Sequence, residues 1–263
     1  MRRTFSELRK DEKINLIVFI TVRVIVLLLI MWAIADTIKA HTTGSTNTSE
    51  IRSRAIFVLT NCVIMLIASF LPSILEHTWK VEIPSVMEIV FIVFCFLCLV
   101  LGEIGNFYAK FKWWDSMLHA SSGFLITALG FVVLNTLNKS DHIYTRMSPV
   151  SVCIFAFCFS VSIGAIWEII EWTIDGSAGT NMQRFRYNYD SQVLFMGREA
   201  LRDTMKDLIL DTLGSLAVSI FGYIDLKNKK TFVPNLVLAS TDEEVANIKV
   251  SGWHKRDKKR FLN

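Results

Sequence analysis

Apolar residues gather in six long runs, at about 14–35, 55–75, 86–102, 117–137, 150–172 and 204–224, each near the length a helix needs to cross a bilayer. The third is the shortest, and the second ends near Pro72. Pro84 and Pro149 stand just ahead of the third and fifth runs, where proline suits the first turn of a helix. Residues 41–50 (HTTGSTNTSE) read as a polar loop. The pattern predicts an all-α polytopic membrane protein, a bundle of about six transmembrane helices. Its parts are a basic N-terminus (1–13), a six-helix membrane domain (14–225) and a partly basic tail (226–263).

Composition sharpens this. The 263 residues are 52% hydrophobic, with a mean hydropathy of +0.42, yet 20% are charged. That is only a little below the level of about 25% usual in soluble domains. Disorder, collagen-like repeats and a small disulfide scaffold are excluded. All five cysteines lie inside apolar runs. Cys95-x-x-Cys98 has redox or zinc spacing but no nearby histidine, so it reads as small apolar residues in a helix. The net charge of +4 and the apolar setting of the aromatics give nucleic-acid binding little support.

Lysine and arginine set the orientation. With the N-terminus inside, 17 of the 28 basic residues fall on the inner side and nine on the outer, while Arg23 and Lys206 lie within runs. The expectation is a cell-membrane protein with both termini cytoplasmic. A competing reading makes the first run a cleaved signal peptide, since it starts basic and Ala33-Ile34-Ala35 mimics a cleavage site. Against it, the run is long and Arg23 divides it.

On this topology the acids converge. Asp115 and His119 lie about 40° apart on the fourth helix, with Ser122 extending their face. WEIIEWTID places Glu168, Glu171 and Asp175 within about 60° at the end of the fifth. DTMKDLILD steps Asp203, Asp207 and Asp211 by four residues at the start of the sixth, and Glu103 ends the third. Eight carboxylates and one histidine thus share the outer half of the membrane. At 1.5 Å per residue Asp211 lies about 12 Å deep and Glu168 about 10 Å. Arg23, about 13 Å from the inner end, is expected to pair with Asp211 or Glu168.

Ordinary explanations exist for part of this set. A cap or a helix dipole accounts for Asp115 and Asp203, and solvation for Glu103 and Asp175. Glu168, Glu171, Asp207 and Asp211 lie deeper, as glue between helices or as functional groups. His119 is a bundle histidine, a ligand or a proton carrier. Lys206 is expected to snorkel to the outer surface, and Glu88 to be an interface residue.

Carboxylates gathered in low dielectric need protonation, basic partners or a bound cation. Oxygen ligands suit Mg²⁺, Mn²⁺ or Ca²⁺, and His119 admits Zn²⁺. The candidate ligands are Asp115, His119, Glu168, Glu171, Asp207 and Asp211, with Glu168, Glu171, Asp207 and His119 as candidate catalytic groups. Arg184, Arg186, Arg198 and Arg202 in the preceding loop, interleaved with Tyr187 and Tyr189, suit phosphate or a headgroup-facing surface.

The segments GEIGNFYAKFKWWDSMLHASSGF, GAIWEIIEWTID, GTNMQ and DTMKDLILDTLGS resemble the YjdF-type bacterial multi-pass inner-membrane proteins, and more loosely the VanZ-like glycopeptide-resistance group. The likeness covers about residues 100–224 and falls on Asp115, His119, Glu168, Glu171, Asp203, Asp207 and Asp211. It implies the membrane fold, shared polar positions and a cell-envelope setting, without a reaction. Three readings follow. One is a metal-dependent membrane enzyme or binding protein acting on a phosphorylated or lipid-linked envelope substrate. The second is a proton- or cation-coupled transporter, disfavoured by the few ionisable residues in the inner halves of the last three helices. The third is a structural membrane subunit.

Overall fold

The structure, a computed structural model, describes residues 10–42, 48–79, 83–139, 147–187 and 193–228. Of the expected basic N-terminus (1–13) and tail (226–263), residues 1–9 and 229–263 lie outside the described residues. The helices are α1 (Lys10–Thr42), α2 (Thr48–Ala68), α3 (Leu71–Trp79), α4 (Ser85–Phe96), α5 (Phe107–Lys110), α6 (Trp114–Lys139), α7 (Pro149–Ala178) and α8 (Arg202–Asn228). A π-helical stretch, Leu97–Ile104, continues α4. Six helices have the length and apolar composition to cross a membrane: Lys13–Thr42, Ser49–Thr78, Ser85–Ile104, Trp114–Leu134, Pro149–Ala178 and Arg202–Lys227. The protein is a multi-pass membrane bundle. Among the described residues no strand forms, and one isolated bridge joins Arg186 to Leu194.

The second span is broken. Proline has no N–H, and its ring conflicts with the carbonyl four residues back. For Pro72 that residue is Ala68, where α2 stops, and a turn at Ser69–Phe70 precedes α3. Arg23 of α1 reaches this turn. Its Nε lies 3.3 Å from Ser69 Oγ, and its Nη2 donates to the Ser69 carbonyl at 3.3 Å. The guanidinium also lies over the Phe70 ring at 4.5 Å and the Phe19 ring at 5.5 Å. The expected pairing of Arg23 with Asp211 or Glu168 is therefore not what the fold forms. The reason is topological: α1 packs on α2 and α4, whereas both acids belong to the α6–α7–α8 group.

The spans form two groups of three. In the first, α1, α2 and α4 bury Val26, Cys62, Met65 and Ile92 between them. In the second, α6, α7 and α8 pack mutually, and α4 touches this group through Met87. In lipid, helix association rests on close packing and interhelical hydrogen bonds, which favours small residues at the contact. The α6–α8 crossing shows this. A Cβ on Gly123 would fall 2.4 Å from the Asp211 carbonyl oxygen, and one on Gly214 would fall 2.6 Å from the Ala120 carbonyl oxygen. Backbone meets backbone from both sides, and Asp211 is fixed beside α6.

Ser148 caps α7 by accepting a hydrogen bond from Ser151 N–H, with Pro149 in the first turn. Gly179 closes α7 in the left-handed region at φ +68°. The end of α7 and the starts of α6 and α8 thereby meet at one face of the membrane.

Candidate metal centre

At that face α6 and α8 bring three ligand atoms together. One atom each from Asp115, His119 and Asp207 lies within 4.8 Å of the other two, and His119 and Asp207 are buried. The i, i+4 spacing on α6 sets His119 Nε2 3.8 Å from Asp115 Oδ1. The other ring nitrogen, Nδ1, lies 3.3 Å from Asp211 Oδ2. A carboxylate only accepts, so this contact assigns a proton to Nδ1. In the neutral ring Nε2 then carries the lone pair and faces Asp115. Ser122 Oγ lies 2.6 Å from Asp211 Oδ1 and 2.7 Å from the His119 carbonyl, so α6 holds both partners. Gly164 of α7 gives the Asp211 carboxylate room, since a Cβ there would fall 2.7 Å from Oδ2.

Two cations share the site. Lys206 Nζ lies 3.1 Å from Asp203 Oδ1, 3.4 Å from Asp207 Oδ1 and 3.7 Å from Asp115 Oδ2. Its ammonium turns into the acids instead of snorkelling away as expected, because three carboxylates surround it. Arg184 places Nη2 3.5 Å from Asp115 Oδ2 and Nη1 3.5 Å from Asp203 Oδ1. Six acids, Asp115, Asp203, Asp207, Asp211, Glu168 and Glu171, gather here with the bases Arg184, Lys206 and His119. Asp115 Oδ2 and Asp207 Oδ1 accept no hydrogen bond and meet Arg184 and Lys206 only at ion-pair distances of 3.4 to 3.7 Å, and Glu168 Oε1 also accepts none. Buried acceptors held this loosely are costly, and a closer cation or a proton would relieve the cost.

The other expected ligands take different places. Asp211 sits behind His119 as its orienting partner. Glu171 accepts from Trp167 Nε1–H at 2.8 Å, and Glu168 accepts from Gln183 Nε2 at 3.3 Å. Both are buried on α7, outside the three-atom group. Of the four arginines, Arg184 alone among the described residues forms an ion pair with the acid site, while Arg198 and Arg202 are exposed and Arg202 pairs with Glu199 at 2.8 Å. Arg186 lies over the Phe185 ring at 4.7 Å. Glu88, expected at an interface, is half-buried and hydrogen-bonded by Asn15 Nδ2.

Comparison with known proteins agrees with a membrane bundle. Residues 18–228 match the family described as "Predicted membrane protein (DUF2238)". The chain belongs to this family. It is also 31% identical over 160 residues to an "Uncharacterized protein" of Thermotoga maritima, covering 61% of this chain and 73% of that protein. No solved structure matches the chain. The matched span takes in α1 from residue 18, the other helices and every residue of the acid site.

Within that span, the loop after α7 is the part of the site that helix spacing did not foretell. Asp175 does not sit in solvent. Its Oδ1 accepts from Thr180 Oγ1 at 2.5 Å and Met182 N–H at 2.7 Å, and its Oδ2 accepts from Gln183 N–H at 3.0 Å. Asn181 adds two bonds with the Arg186 backbone, at 3.0 and 3.3 Å. Arg184 is held at φ +46°. The loop is thus tied down so that Gln183 reaches Glu168 and Arg184 reaches Asp115. The signal was GTNMQ following an acidic helix end, a run of polar residues suited to folding back on a carboxylate.

Proposed function

We propose that the protein is a divalent-metal-dependent membrane protein acting on a phosphorylated or lipid-linked envelope substrate, with Asp115, His119 and Asp207 as the metal ligands. The observation that carries this reading is the His119 arrangement. One ring nitrogen is engaged by a carboxylate that Ser122 also holds, and the other faces Asp115, with Asp207 in the same three-atom group and an oxygen of each acid without a hydrogen bond. Metal-ligating histidines are oriented in this way by an outer carboxylate. A bound Mg²⁺, Mn²⁺ or Zn²⁺ would activate water or polarise a phosphoryl oxygen.

The chain's own residues supply the rest. Asp211 and Ser122 orient the imidazole. Arg184 and Lys206 offer donors to an anionic group that approaches from the membrane face. Glu168 and Glu171, buried beside the site, are the candidate proton-transfer groups. Beyond Asp211 along α8 lie the Ser215–Ser160 contact (Oγ–Oγ 2.7 Å) and then the apolar core around Phe131 and Val218. That apolar packing supports a one-sided site over a transport path. The excess of lysine and arginine at the termini supports cytoplasmic termini and an outward-facing site, and the likeness to YjdF-type and VanZ-like proteins supports a cell-envelope role.

The test is element-resolved metal analysis of protein purified from metal-replete medium, wild type beside Asp207→Asn and His119→Ala. The expected result is one divalent ion per chain in wild type and its loss in both variants. A well-folded wild type that holds no divalent metal overturns the reading.

A further inference from the structure

The segment between α7 and α8 carries apolar side chains that are exposed among the described residues. Phe185–Tyr187 runs antiparallel to Val193–Phe195, with Tyr187 N–H donating to Val193 O at 3.2 Å and Phe195 N–H to Phe185 O at 2.9 Å. Met196 follows, then a 3-10 turn at Gly197–Glu199. These residues lie outside the spans, yet Met196 is 84% exposed and Tyr187 74%, with Val193, Leu194 and Leu201 also exposed. Contiguous exposed apolar surface of this kind marks an interaction site.

Charge indicates what covers it. The described residues 185–202 hold three arginines, half-buried Arg186 and exposed Arg198 and Arg202, and Glu199 is the single acid among them. The neighbouring helix ends repeat the composition, with exposed Trp113 beside Lys112 and exposed Trp172 in the last two turns of α7. Aromatic and apolar side chains mixed with arginine and lysine fit the boundary where acyl chains meet phosphate. Water alone fits the arginines, and a purely apolar partner fits only the rest.

We propose that the paired segments and the Met196–Leu201 stretch after them form a binding surface for anionic phospholipid headgroups. Met196, Leu194 and Leu201 enter the leaflet, and Arg186 and Arg198 contact lipid phosphate. Arg184 stands just before the first paired segment with its guanidinium on Asp115 and Asp203. Seating these segments in the headgroup layer therefore sets the acid site near the lipid surface. The assignment does not depend on a metal being bound.

The experiment uses the full chain in nanodiscs, whose two faces are both open to solution. Met196→Cys, in a background carrying Cys158→Ala to remove the exposed native thiol, is labelled with bimane. Quenching by aqueous iodide and by headgroup-proximal spin-labelled lipid is read in phosphatidylcholine and in phosphatidylcholine with phosphatidylglycerol. The expected result is shielding from iodide and quenching by spin-labelled lipid, both stronger with phosphatidylglycerol. Each arginine near an anionic surface is worth about fivefold in association, so Arg186→Gln with Arg198→Gln removes the phosphatidylglycerol effect. Arg202→Gln, whose guanidinium is neutralised by Glu199, retains most of it. Iodide quenching equal to that of the fluorophore in water overturns the insertion, and is also what a surface reserved for a soluble protein partner gives. Shielding indifferent to phosphatidylglycerol and to the double variant overturns the anionic-lipid assignment. A metal-free but shielded protein leaves this inference standing while the metal reading fails.

Discussion

His119 Nδ1 faces Asp211 Oδ2 at 3.3 Å across the α6–α8 contact, leaving Nε2 toward Asp115. The relationship separates two kinds of acid on α8. Asp207 is a ligand in the proposed site, whereas Asp211 acts through the ring. Asp207→Asn should abolish binding. Asp211→Asn should weaken it by about 10–100-fold, the usual effect of losing an outer-shell partner. Ser122→Ala should act in the same direction and less strongly. Titration of Mn²⁺ into metal-stripped protein reads all three, and equal losses for Asp207 and Asp211 would show that both ligate.

Lys206 places a positive charge among the carboxylates that the ion would use. The two cations compete for the same field, so Lys206→Gln should raise the affinity for a divalent ion. The gain should be modest, about tenfold or ~1.4 kcal/mol, because the lysine side chain is 37% exposed and water screens it. If Lys206→Gln instead loses the ion, the lysine is holding the acids in place and not opposing the metal.

Arg23 and the acid site belong to different helix groups, and their variants should separate accordingly. Arg23→Leu removes the donor that meets the Ser69 carbonyl at the break between α2 and α3. Backbone hydrogen exchange should rise over residues 69–74, while metal content stays at the wild-type level. Loss of metal in Arg23→Leu would mean that the two groups are coupled.

Asp175 ties the loop that delivers Gln183 and Arg184. Asp175→Ala removes an acceptor shared by two backbone N–H groups and the Thr180 hydroxyl. Bonds to a charged acceptor are worth about 1.5–3 kcal/mol each, so the segment 179–187 should open well before the helices unfold. Limited proteolysis should cut this loop in the variant and spare it in wild type. Unchanged protection would locate the loop's stability elsewhere.

The helices and the convergence of acids were legible because both depend on period and length. Apolar runs fixed the spans, and four-residue spacing put Asp115 with His119 and Asp207 with Asp211 on shared faces. What spacing does not encode is which helices become neighbours. Arg23 had the right depth to meet Asp211, but α1 packs in the other group. Lys206 was expected at the surface, since solvent is the ordinary home of an ammonium, and the three acids around it come from two helices. Glu168 and Glu171 share a helix face, yet a loop glutamine and a tryptophan on their own helix engage them. Helix spacing did not foretell the Asp175 loop for the same reason: its bonds join residues five to eight apart in an irregular backbone.

Close approach gives a last prediction that requires no metal. A Cβ on Gly123 would strike the Asp211 carbonyl oxygen at 2.4 Å and Ser215 N at 3.1 Å, both backbone atoms of α8. Helix backbones do not yield locally, so Gly123→Ala should force α6 and α8 apart at a cost of about 1–3 kcal/mol. At Gly164 the obstacle is the Asp211 carboxylate, which can swing aside. Gly164→Ala should therefore cost less in stability but displace the partner of His119. Gly176 meets nothing within 4 Å, and it is helical, so alanine there should stabilise α7 by about 0.5–1 kcal/mol. Thermal unfolding in detergent should rank the three variants Gly176→Ala, Gly164→Ala, Gly123→Ala from most to least stable. A Gly123→Ala protein as stable as wild type would mean that the α6–α8 backbone contact is looser than the structure describes.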